Sequence, residues 1–264
     1  MSTWQPVSGC GAGCRAGGDD AVSRTRSVLR IVAVCAVLLV GLVLVPLFRG
    51  VAVRPMSRAL LAALGVRLRG RGPVPRQGSL LVANHVSWLD IVALLALGPA
   101  RLVAKREVRG WPGIGMLAGL SGAIFMDRAR PKALPETVGE IAAALRAGRS
   151  VAVFPEGTTF CGTSCDATSV RTSVRFRPAV FQAAVDAGAP IVPVAISYCS
   201  TAAAFIGDDS LWSSVVRVAR LRDLTVTLVS APAMHPEPGA SRRVLARAAQ
   251  ASVGLTPAAL GLAA

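Results

Sequence analysis

The sequence predicts an α/β domain built on a largely parallel central sheet, flanked by helices and preceded by an apolar helical anchor. One observation predicts the domain. Short apolar runs alternate with helical patterns throughout the chain beyond residue 78, and that alternation is the signature of strands joined by crossover helices. A second observation predicts the anchor: an uncharged stretch from Ile31 to Phe48, with arginines on both flanks. The 264 residues suffice for one catalytic domain with an N-terminal appendage.

The elements follow in chain order. Residues 1–27 are rich in Gly and Ser, lack apolar periodicity and end in Arg24 and Arg26, which reads as a disordered basic tail. Residues 28–72 read as a membrane-anchoring helical segment. Its apolar run from Ile31 covers roughly 27 Å at about 1.5 Å per residue, enough to cross a bilayer core. Arg30 before it and Arg49 and Arg54 after it leave the orientation open. A cleaved signal peptide is disfavoured, because the run starts late and GVAVRPM lacks a convincing small-x-small cleavage site. Residues 55–72 set Leu60, Leu61, Leu64 and Val66 among arginines, as a helix on an anionic interface would. Residues 73–264 form the catalytic domain, with strands at SLLVAN, RLVAK, AIFM, VAVF, IVPVAIS and LTVTLVS and helices over 132–147, 178–188 and 240–252.

Composition narrows the partners. Twenty-nine Lys and Arg against 14 Asp and Glu give a net charge of +15, which favours polyanions. Nucleic acid is disfavoured, since one Tyr and seven Phe leave little for base stacking and no nucleic-acid motif accompanies the charge. An anionic membrane fits better, because the arginines surround the most apolar stretch. Six cysteines are present, Cys10, Cys14, Cys35, Cys161, Cys165 and Cys199. The two Cys-x-x-x-Cys pairs lack nearby His partners, so reduced thiols are preferred to a metal site.

Two histidines are available to His-dependent chemistry, and His235 sits in a Pro-rich turn. His85 directly follows the SLLVAN strand, at the carboxyl end where α/β folds gather ligands. Ser87 and Asp90 have the spacing of a capping box, with Ser87 as N-cap. The same geometry brings Asp90 back towards the imidazole, where a carboxylate would fix the tautomer and raise the basicity of the free nitrogen. GxSxG is absent, so the base acts on a substrate hydroxyl. Amides near the helix start are candidate donors to the oxyanion. The turn Pro155-Glu156-Gly157-Thr158 after a second strand, and Arg128 after a third, add a carboxylate, a permissive glycine and a guanidinium suited to phosphate.

Asn84-His85 through Asp90, GAIFMDR ending at Arg128, FPEGT at 154–158 and Ile191-Val-Pro193-Val together resemble the ordered motifs of the glycerolipid acyltransferase family. Within it they are most similar to the 1-acyl-sn-glycerol-3-phosphate (lysophosphatidic acid) acyltransferases. The resemblance spans residues 79–197 and implies a glycerol-3-phosphate acyltransferase-like fold. It implies that an acyl group moves from acyl-CoA or acyl carrier protein to the free hydroxyl of 1-acyl-glycerol-3-phosphate, making phosphatidic acid. An alternative acceptor is another lyso-lipid, such as a lyso-ornithine lipid or a glycolipid. His85 and Asp90 are implied as the catalytic pair, and Lys105, Arg128, Glu156, Gly157 and Thr158 in substrate binding, with Pro193 shaping the pocket. No metal or redox cofactor is implied. The setting is the cell membrane, with the domain on the cytoplasmic side. One departure concerns the head group: Thr159 follows FPEGT where many relatives carry Arg, and Arg175 and Arg177 are the candidates to replace that charge.

Overall fold

The computed structural model describes residues 10–15, 20–48, 50–127, 129–161, 175–207 and 209–254. Two helices, α1 (Arg24–Phe48) and α2 (Gly50–Leu64), precede the first strand β1 (Arg67–Arg71). There follow β2 (Leu80–Ala83), α3 (Leu89–Leu97), β3 (Arg101–Lys105), α4 (Ile114–Leu120), β4 (Ile124–Met126) and α5 (Leu134–Arg146). The chain continues through β5 (Val151–Val153), α6 (Ala179–Ala187), β6 (Ile191–Tyr198), α7 (Leu211–Arg220), β7 (Thr225–Ser230) and α8 (Arg242–Gly254).

The strands form a seven-stranded sheet in the order β1-β7-β6-β2-β5-β3-β4. All neighbours are parallel except β6 and β7. The central strand β2 reads Leu-Leu-Val-Ala without alternation because both its faces are covered. Leu81 and Ala83 enter one apolar cluster with residues of α2, α3 and α7, while Leu80 and Val82 enter a second with residues of α5, α6 and α8. At the carboxyl end of β2 the Asn84 side chain extends the ladder. Its Nδ2 donates to the Ile196 carbonyl at 2.9 Å, and the Ile196 N–H donates to its Oδ1 at 2.7 Å.

Three expectations for the N-terminal region need correction. The helix expected over 55–72 ends at Leu64, and residues 67–71 are a strand of the catalytic sheet paired with β7. Gly65 makes the break: its φ of 72° is left-handed, a conformation open to glycine at little cost. The Arg-rich strand escaped notice because an edge strand tolerates charge on its outward positions. Second, the described part of the expected tail is tied down. Val22 is buried, its N–H donates to the Arg220 carbonyl at 2.8 Å, and the Arg222 N–H donates to the Asp20 carbonyl at 2.9 Å.

Third, Arg30 is part of the fold and not merely a flanking charge. Its Nη1 donates to the carbonyls of Ala219 and Leu221 at 3.1 and 2.7 Å, satisfying the carboxyl end of α7. Farther along α1, Val34, Gly41 and Val45 are buried in one seam, and Gly41 leaves room for Met56 of α2 and Leu117 of α4. Val28, Leu29, Val32, Leu39, Val40, Val43 and Leu47 face outward and are exposed. The helix is long and apolar enough to cross a membrane, and one side of it is fixed to the domain.

A Cβ at Gly65 would run into the Arg30 guanidinium and would also adopt a strained φ. Gly65→Ala is therefore expected to destabilise the fold by roughly 1–3 kcal/mol, seen as a lower thermal midpoint in detergent. An unchanged midpoint would mean that this turn does not join the anchor to the domain.

Candidate active site

The carboxyl ends of the parallel strands β2, β5, β3 and β4 lie along one edge of the sheet. His85 follows β2 there, and its Nδ1 lies 2.8 Å from Asp90 Oδ2. The same oxygen accepts the N–H groups of Val86 at 2.6 Å and Ser87 at 2.9 Å. Asp90 Oδ1 accepts the Tyr198 hydroxyl at 2.5 Å. The Asp90 carboxylate, fully buried, thus receives donors at both oxygens. An ionised carboxylate only accepts, so this contact calls for a proton on Nδ1.

The capping box is half formed. Asp90 reaches back to the Ser87 N–H, but the Asp90 N–H donates to the Ser87 carbonyl and not its hydroxyl. Trp88 takes the N-cap position expected of Ser87. A five-residue spacing thus serves two purposes, starting the helix and orienting the histidine. The Val86 and Ser87 amides already bind Asp90, so they are not available as oxyanion donors.

Sequence reasoning missed two groups around His85. Tyr198, the chain's single tyrosine, ends β6 beside β2; its position at a strand end was the available signal. Burial, and then the charge of Asp90, push its hydroxyl well above the ordinary tyrosine value, so it remains a donor. Phe154, noted only as part of its motif, stacks on the imidazole with ring centroids 4.0 Å apart and planes inclined by 13°. It fixes the ring and offers a π face to an imidazolium.

Glu156 is 3% exposed, and its Oε2 accepts the His85 N–H at 2.8 Å. The His85 carbonyl in turn accepts the Phe160 N–H at 2.8 Å. The segment after β5 therefore holds the main chain of His85 from both sides. Gly157 has a φ of 80°, and its N–H closes the turn onto the Phe154 carbonyl at 3.0 Å. Gly157 and Thr158 are half-buried at this edge.

Cationic residues border the same edge. Lys105 ends β3, is exposed and pairs in register with Met126. Arg106 forms an ion pair with Asp127 at 2.7 Å, which lowers the Asp127 pKa. The Arg177 N–H donates to the Pro155 carbonyl at 3.0 Å, which sets that residue beside the Glu156 turn. Arg128 and the segment 162–174, with Cys165, lie outside the described residues. Pro193 sits within β6 opposite Val82 and is buried in the sheet. The Thr159 hydroxyl donates to the Phe205 carbonyl, so that position serves as a tie between loops.

Residues 65–197 match the family model described as Acyltransferase. The chain is similar to a lyso-ornithine lipid O-acyltransferase of Pseudomonas aeruginosa, 39% identical over 203 residues, 74% of each chain. It is also similar to a 1-acyl-sn-glycerol-3-phosphate acyltransferase of Neisseria meningitidis, 33% identical over 188 residues, 69% of this chain and 71% of that one. Its fold is like the crystal structure of a 1-acyl-sn-glycerophosphate acyltransferase from Thermotoga maritima, with a TM-score of 0.55 at 20% identity over 86% of this chain and 96% of that one.

Tyr198→Phe would leave Asp90 Oδ1 without that donor inside the fold. The expected loss is about 1–3 kcal/mol of stability, measurable as a fall in thermal midpoint; no fall would show that the carboxylate finds another donor.

Proposed function

Since the chain belongs to the acyltransferase family, we propose that His85 is the general base of its acyl transfer and that Asp90 holds and charges-compensates it. The observation that carries this reading is the 2.8 Å bond from His85 Nδ1 to Asp90 Oδ2, which leaves Nε2 available on an imidazole that is 17% exposed. Nε2 takes the proton of the acceptor hydroxyl while its oxygen attacks the thioester carbonyl. As the tetrahedral intermediate collapses, the imidazolium returns that proton to the leaving thiolate. Asp90 and the Phe154 ring stabilise the imidazolium in between. Acyl-CoA or acyl carrier protein is the donor, and the residues assigned here require no metal or redox cofactor for this proton transfer.

The acceptor we assign is 1-acyl-glycerol-3-phosphate. Lys105, Arg128 and Arg177 supply positive charge suited to its phosphate, with Gly157 and Thr158 lining the approach. The similarity to the P. aeruginosa enzyme and the neutral Thr159 after FPEGT favour a second reading, a lyso-ornithine lipid. The outward apolar face of α1, together with the surrounding arginines, supports attachment to the membrane, and we assign the catalytic domain to the cytoplasmic side, where thioester donors are made.

Three outcomes test this. His85→Ala should lower kcat by about a hundredfold or more while keeping the circular dichroism of the parent; a loss under about tenfold would remove the base assignment. Supplied with radiolabelled acyl-CoA, the enzyme should prefer lysophosphatidate to lyso-ornithine lipid, and Arg128→Ala should impair the phosphate-bearing acceptor selectively. Equal impairment on both, or a preference for lyso-ornithine lipid, would favour the second reading. Finally, Val32→Glu with Val40→Glu on the exposed face of α1 should release the folded protein from vesicles in high salt. Full retention would mean that another surface holds the membrane.

A further inference from the structure

The two Cys-x-x-x-Cys pairs look unpromising when each is taken alone, but the fold combines them across the chain. Residues 10–15 lie against the segment after β5, and the sulfurs of Cys10, Cys14 and Cys161 all fall within 4.8 Å of one another. Cys10 and Cys161 approach to 3.4 Å between sulfurs, much longer than the roughly 2.05 Å of a disulfide. Three thiolates on a tetrahedral zinc, with Zn–S near 2.3 Å, would have sulfurs about 3.8 Å apart, so the observed spacing accommodates an ion with little movement.

The local chain suits such a site. The 3-10 turn Ala12–Arg15, with the Cys14 N–H donating to the Gly11 carbonyl at 3.0 Å, brings the sulfurs of Cys10 and Cys14 to one side. The Cys161 N–H donates to Cys10 Sγ at 3.4 Å, a contact that stabilises sulfur charge. All three cysteines are partly buried against the apolar cluster on that face of the sheet, whereas Cys35 and Cys199 are exposed and are not part of this group.

We infer that Cys10, Cys14 and Cys161 bind one zinc ion as thiolates, with the fourth position open to water or another donor. Soft sulfur ligands in tetrahedral reach favour zinc over hard cations. Binding breaks three S–H bonds, forms three Zn–S bonds and releases three protons to solvent, with no change of oxidation state. The ion would tie the N-terminal segment to the loop whose Phe160 N–H holds the His85 carbonyl. It would lie outside the reacting centre, and its role is to order that loop.

The test uses the full chain, purified in detergent with a non-chelating phosphine reductant and analysed for metal by mass spectrometry. About one zinc per chain is expected, with loss of most of it in Cys10→Ser and in Cys161→Ser and retention in Cys35→Ser. Cobalt substituted into the unaltered protein should show the near-ultraviolet charge-transfer band of thiolate ligation, a readout that does not depend on the variants folding. A wild-type chain that takes up no zinc and gives no such band would overturn the inference. So would zinc retained in both serine variants, or a Cys10–Cys161 disulfide in the purified protein.

Discussion

The arrangement at this edge of the sheet depends on one buried carboxylate. Asp90 has no exposure, and removing a carboxylate from water costs several kcal/mol even after relaxation. Hydrogen bonds to a charged group contribute about 1.5–3 kcal/mol each. The four that converge on Asp90, from Val86, Ser87, His85 and Tyr198, are therefore of the size needed to offset that cost. The same donors fix the start of α3, the end of β6 and the ring of the histidine, so a catalytic requirement and a folding requirement meet in one side chain.

How far the sequence revealed this depended on how local each feature is. The buried strands could be read from continuous apolar runs such as Leu80 to Ala83, because both faces of a central parallel strand are covered. His85 and Asp90 could be paired because five residues separate them across a helix start. Tyr198 is 108 residues from Asp90, and only the parallel pairing of β6 with β2 brings them together. The bond from the His85 N–H to Glu156 was illegible for the same reason: nothing nearby in sequence indicates the amide that this carboxylate holds. The antiparallel course of β7 was likewise illegible, since it depends on where α7 returns the chain to the sheet.

The anchor shows a related limit. An apolar run of that length satisfies the requirement for a membrane span, and hydropathy ignores the small residues that decide packing. Gly41 and the Arg30–Gly65 contact are weak signals in sequence, yet they join α1 to α2, α4 and α7. A helix attached along one seam and apolar along the other would hold the domain at a fixed orientation to a membrane that it entered. With His85 as the base proposed above, this would matter for a lipid acceptor, because transfer requires the reacting hydroxyl to be held near Nε2, and an enzyme tumbling on a flexible tether would lose much of that advantage.

That constraint also gives a reason for the inward turn of Glu156. A charged side chain aimed outward beside the imidazole would repel a phosphorylated acceptor. Bonded to the His85 N–H, the carboxylate holds the backbone of that residue still. With the phosphate-bearing acceptor proposed above, Lys105 and Arg106 at the same edge would contribute positive field. Within FPEGT the acidic residue thus holds the main chain of His85, a task that the sequence alone does not separate from substrate binding.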